Sequence, residues 1–95
     1  MATRFTVGIE EEFQLVDGRT GELCSRAESI LEKGTPYFGN SIKPEVLQTT
    51  IELVSDVLPD MEAARTSLRE KRAALAQFVA QDGLALISAG THPGR

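Results

Sequence analysis

The sequence predicts an α+β domain, and three observations predict it. Residues 5–16, FTVGIEEEFQLV, alternate apolar and polar side chains with the period of a strand. Residues 45–55, EVLQTTIELVS, concentrate β-branched residues, which favour extended structure. Residues 60–82 carry an apolar stripe at helical spacing between an Asp cap and a Gly stop.

In the first strand, Phe5, Val7, Ile9, Phe13 and Leu15 share a core face, while Thr6, Gly8, Glu10, Glu12 and Gln14 share the other. Glu11 falls on the apolar side, where alternation does not explain it; it is expected near a sheet edge or against an arginine. The small Gly8 leaves room for a ligand or another backbone. The turn DGRTG, residues 17–21, then suits a hairpin, with Glu22–Cys24 as a short return strand. Ser25 and Glu28 have capping-box spacing, so a small helix should begin there, bury Ile30 and Leu31, and stop at Gly34.

Residues 35–44, TPYFGNSIKP, read as a loop, with two Pro, a Gly and an Asn. In the strand that follows, Gln48, Thr50 and Glu52 share a face. Glu45 and Glu52 are seven apart, which a strict strand would put on opposite faces. Either a bulge or bend re-aims Glu45, or the two do not act together; Pro44 directly before Glu45 favours the bend. Asp60 caps the long helix, whose stripe is Met61, Ala64, Leu68, Leu75 and Val79. Arg65, Arg69 and Arg72 form a ridge on another face, most simply a solvated flank. After Gly83, residues 84–90, LALISAG, make a buried strand; if it shares a sheet with 45–55, the crossover should be right-handed. Thr91, His92 and Pro93 then read as the entrance to a further loop, so the 95 residues are expected to be the N-terminal piece of a longer protein.

Composition narrows the function classes. The formal charge is −4, with Lys and Arg scattered, which argues against nucleic acid or an anionic membrane as partner. A single cysteine, Cys24, permits no internal disulfide, suits a reducing compartment, and has no histidine near in sequence to activate it. No signal-like or 18-residue apolar run occurs, so a cytoplasmic location is expected.

The chemistry lies in the carboxylates. Glu10 and Glu12, about 7 Å apart on one face of a strand, make half of a divalent-metal site. The plainer alternative is a half-exposed strand whose acids face water. Three consecutive Glu repel one another and form strands poorly, so a compensating cation is the better physical account. No Asp-rich twelve-residue calcium loop is present. His92, the only histidine, would more often be a hydrogen-bonded surface residue.

Taken together, GIEEEF at 8–13, VDGRTGEL at 16–23, EVLQTTIELVS at 45–55 and AGTHP at 89–93 resemble the carboxylate–amine ligases of the glutamate–cysteine ligase type 2 family. The resemblance runs over essentially the whole chain, as the opening part of a single, much longer domain. It implies a glutamine synthetase-like fold, with a curved, mainly antiparallel sheet and helices packed on one face. Matched position by position, it implies Glu10, Glu12, Glu45 and Glu52 as ligands of Mg²⁺ or Mn²⁺, with no catalytic nucleophile, and Thr91 and His92 as part of a substrate-shaping loop. Thr50 and Ser55 stand where the family commonly has Gln and Thr, and Gly94 follows His-Pro in place of an aromatic residue.

The implied reaction joins a carboxylate, by default the γ-carboxylate of glutamate, to an amine such as that of cysteine, through an acyl phosphate formed from ATP. The piece itself would be inactive, and a homo-oligomer is an open expectation because a fragment leaves sheet edges unpaired. One rival is a non-catalytic metal-binding or interaction fragment; a second is a metal-dependent hydrolase, which would need no ATP.

Overall fold

The computed structural model describes residues 6–94, with the side chains of residues 92–94 outside that description. Phe5 therefore lies outside the described residues, as does the side chain of His92. The chain builds β1 (Gly8–Asp17), α1 (Ala27–Phe38), a 3-10 turn (Gly39–Ser41), β2 (Ile42–Pro44), β3 (Thr50–Val54), α2 (Met61–Ala80) and β4 (Leu84–Gly94). The four strands form one sheet in the order β2-β3-β1-β4, and every neighbouring pair is antiparallel. The architecture is α+β, as the alternation of patterns predicted.

The period of two in β1 sorts its side chains cleanly. Ile9, Phe13 and Leu15 are buried on one face, joined by Ile51 and Leu53 of β3 and by Ile42 of β2. Ala64, Leu68, Leu75 and Val79 of α2 and Ala27 and Ile30 of α1 close over them. The sheet is thus covered on this side by helices, with α2 across β1, β3 and β4 and α1 against β2.

Helix α2 follows its local signals. Asp60 Oδ1 accepts from the Ala63 N–H at 2.8 Å, a side-chain cap on an orphan donor. Its buried stripe includes Ser67 and omits Met61, which is 36% exposed. Ser67 Oγ accepts from the Asp56 N–H at 3.0 Å, so a polar residue in the stripe ties the helix to the chain leaving β3.

Several expectations are corrected by long-range contacts. Helix α1 starts at Ala27 with no side-chain cap, so Ser25 is not its cap. Its first donors are met from the β2–β3 connection: Gln48 O accepts from the Ala27 N–H at 2.9 Å, and Gln48 Oε1 from the Glu28 N–H at 3.3 Å. Gly34 does not stop the helix. It is buried inside it, where a Cβ would come within 3.0 Å of Ile42 Cδ1 and 3.3 Å of Phe78 Cε2, so its smallness admits neighbouring side chains. Residues 35–44 are accordingly helix, 3-10 turn and β2 instead of a loop.

The predicted return strand at 22–24 is a single bridge, Val16 to Leu23. The strand expected over 45–55 is confined to Thr50–Val54, and the one expected over 84–90 runs on to Gly94. Strand β4 also contains a bulge. Glu12 pairs with Gly90 but Phe13 pairs with Ser88, so Ala89 is left over, and Gly90 takes φ of 154°, open to glycine. Gly8 is buried, with Val57 at ordinary contact distance from where its Cβ would lie, so it leaves no room for a ligand.

Candidate metal centre

The side of the sheet away from the helices carries the acidic residues. In the β1–β3 ladder Glu12 pairs directly with Glu52, and Glu10 pairs with Val54 two residues along. Directly opposed side chains of an antiparallel pair stand on the same face, so Glu12 and Glu52 meet. Glu45 reaches them by a different route from the expected bend. Strand β2 pairs with β3 so that Lys43 opposes Glu52 and Pro44 opposes Ile51, and residues 45–49 turn the chain between them. The seven-residue spacing of Glu45 and Glu52 is therefore closed by a hairpin.

One carboxylate oxygen from each of Glu12, Glu45 and Glu52 lies within 4.8 Å of the other two, and all three side chains are half-buried. Oxygens around a Mg²⁺ or Mn²⁺ ion lie roughly 3 Å apart when adjacent and 4.2 Å apart when opposite. Small side-chain adjustments would thus bring this set onto such an ion, and three carboxylates are the hard donors it accepts. The electrostatics point the same way. Glu52 is raised from 4.5 to about 7 by burial first, then by its hydrogen bond to Glu45 and the negative charges of Glu10 and Glu45, against which Lys43 pulls down. A dication among these groups would remove the repulsion.

Of the residues singled out in the sequence, the fold brings Glu12, Glu45 and Glu52 together, with Glu10 near enough to act on Glu52. Thr91 is placed elsewhere. Both Thr91 and His92 belong to β4 and not to a loop, and Thr91 pairs with Glu11, on the helix-covered side. His92 stands in register with Glu10. Lys43 was not singled out, and its cross-strand position opposite Glu52 could be found only once β2 was known.

A family model described as glutamate–cysteine ligase family 2 matches residues 6–95. The chain belongs to that family. Relatives provisionally named glutamate–cysteine ligase 2 include one from Roseiflexus castenholzii, 42% identical over 89 residues, covering 94% of this chain and 24% of the relative. One from Herpetosiphon aurantiacus is 39% identical over 89 residues, covering 94% of this chain and 23% of its own length. One from Sorangium cellulosum is 39% identical over 92 residues, covering 95% and 24% respectively.

This member of glutamate–cysteine ligase family 2 thus spans about a quarter of the length of the curated relatives it matches. The matched region includes both segments that supply the clustered carboxylates. Among the described residues, no helix is long and apolar enough to cross a membrane.

Proposed function

We propose that this chain supplies the cation-holding part of an ATP-dependent carboxylate–amine ligase, one that joins glutamate or a related carboxylate to cysteine or another amine. The carrying observation is the convergence of Glu12, Glu45 and Glu52 on the open face of the sheet, in a chain of this family. Its all-antiparallel sheet, with helices on one side and acids on the other, is in keeping with a glutamine synthetase-like arrangement.

Glu12, Glu45 and Glu52 would hold Mg²⁺ or Mn²⁺, with Glu10 beside them. The bound ion would offset the repulsion between a substrate carboxylate and the γ-phosphate of ATP. The chain's own part is positional. Backbone pairing of β1 with β3 fixes Glu12 against Glu52, and the hairpin fixes Glu45, so the donors are assembled before any ligand arrives. Lys43 tempers the negative charge at Glu52. In this scheme carboxylate attack on the γ-phosphate gives an acyl phosphate and ADP, and the amine then displaces phosphate to leave the amide. The position of His92, in register with Glu10, borders the acids and is where β4 would approach the substrate.

The test is ATP consumption by the intact protein with Mg²⁺ or Mn²⁺. Turnover should require glutamate and an amine together, with an amide as product. The 95 residues by themselves should bind Mn²⁺ without turning over ATP. Release of a hydrolysed product with no ATP present would instead favour a metal-dependent hydrolase.

A further inference from the structure

The side of the sheet opposite the clustered acids holds one carboxylate that the core does not need. Glu11 is 4% exposed and lies on the otherwise apolar face of β1. Its Oε1 accepts from Arg72 Nε at 2.8 Å and lies 2.7 Å from Arg72 Nη2 in the same ion pair, and its Oε2 accepts from Ser88 Oγ at 2.6 Å. An apolar residue would complete the alternation, and replacing a buried ion pair by well-packed apolar groups is commonly neutral or stabilising. What the charge does is hold Arg72 in one orientation.

Arg72 borders a cavity of about 240 Å³ between α2 and the sheet. Arg69 and Arg65, one and two turns earlier on the same stripe of α2, line it too, with Ile9, Leu68 and Thr91. Among the described residues, Arg65 and Arg69 have no ion pair. Three guanidiniums therefore stand against one carboxylate, an excess of two positive charges around a concavity floored by buried Ile9 and Leu68. Like charges gathered this way repel unless an anion joins them. The guanidinium fork matches the oxygens of a phosphate, and an apolar floor strengthens such contacts by excluding water.

We propose that this cleft binds a small dianionic oxyanion of the phosphate class, with Arg65 and Arg69 as its principal contacts, Arg72 held ready by Glu11, and Thr91 offering a hydroxyl from β4. It lies across the sheet from the clustered acids, so its occupant is not the nucleotide phosphate of the proposed reaction. The site stands whether or not that reaction is the right one.

The experiment is titration of the intact protein with inorganic phosphate at constant ionic strength, by calorimetry and thermal unfolding, with chloride as control. One saturable site is expected, with a rise in Tm that chloride does not reproduce. Arg65→Met and Arg69→Met, exposed side chains whose loss leaves the core intact, should each weaken binding at least tenfold. Glu11→Gln should weaken it less, and Arg19→Met, in the exposed β1 turn, should leave it unchanged. Absence of saturable binding, or equal affinity in the Arg65→Met, Arg69→Met and Arg19→Met proteins, would overturn the proposal.

Discussion

Glu12 and Glu52 face each other directly across the β1–β3 ladder, two like charges at a position where opposed charges of one sign are destabilising. Antiparallel partners sit about 4.5–5.5 Å apart at their Cβ atoms, too close for two free carboxylates to be neutral in effect. With Glu45 beside them, one carboxylate oxygen from each of the three residues lies within 4.8 Å of the other two.

A pH dependence follows from the burial of Glu52 and from its neighbours Glu45 and Glu10. Glu52 in the folded chain holds its proton to about 7, against 4.5 for an ordinary Glu. Between those values the folded state binds a proton that the unfolded state has released. The contribution of Glu52 to metal-free stability should therefore be full below about 4.5, fall as pH rises toward 7, and be lost above it, whereas Asp17, Asp56 and Asp82, held below the usual carboxylate range, lose theirs only at more acid pH. Affinity for Mn²⁺ should run the other way, rising with pH up to about 7 as the proton is displaced. Urea unfolding and calorimetry across this range check both trends. Glu52→Gln should flatten the first.

A second expectation concerns Glu12. In the intact protein, Glu12→Gln should lower metal-dependent ATP turnover at least about 100-fold, since even the outer partners of metal ligands matter by 10–100-fold. The metal-free fold should be as stable as before or more so, because a repulsive charge has gone. Turnover assays and thermal unfolding read the two effects separately. Full turnover at saturating magnesium would remove Glu12 from the site.

The buried pair on the other side predicts a third result. Arg72→Met leaves Glu11 as an uncompensated charge in the core, and removing one partner of a buried pair ordinarily costs 3–5 kcal/mol. Arg72 is 43% exposed at its side chain, so water softens the loss to about 2 kcal/mol. Combining it with Glu11→Leu should restore most of the stability, as measured by urea unfolding. A double variant no more stable than Arg72→Met would show that Glu11 is not the source of the loss.

What the sequence disclosed depended on how local the cause was. The faces of β1 were legible because alternation is fixed by strand geometry, and Glu11 stood out as the exception that then met Arg72, in the middle of the sheet instead of at its edge. Helix α2 was legible because Asp60 caps it from the next turn. Helix α1 is legible at neither end because its causes are distant: Gln48 satisfies its start, and Gly34 is small for the sake of Ile42 and Phe78. Strand β2 has three residues, too few to show any period, and its absence hid both Lys43 and the true path from Glu45 to Glu52. Arg72 reads in the sequence as part of a solvated ridge because nothing along a helix reveals a partner 61 residues away.

The hairpin that carries Glu45 and Glu52 also sets an order of events during folding. Strands β2 and β3 are neighbours in the chain, and such a closure forms on the order of microseconds. Glu12 must come from the far side of α1, and bringing it in means closing a loop of some forty residues. Two of the three oxygen donors can thus meet early, while the third arrives only with the long-range pairing of β1. The nascent polypeptide would hold a divalent ion weakly until that last pairing, and capture of the ion would then favour the finished sheet over its half-built precursors.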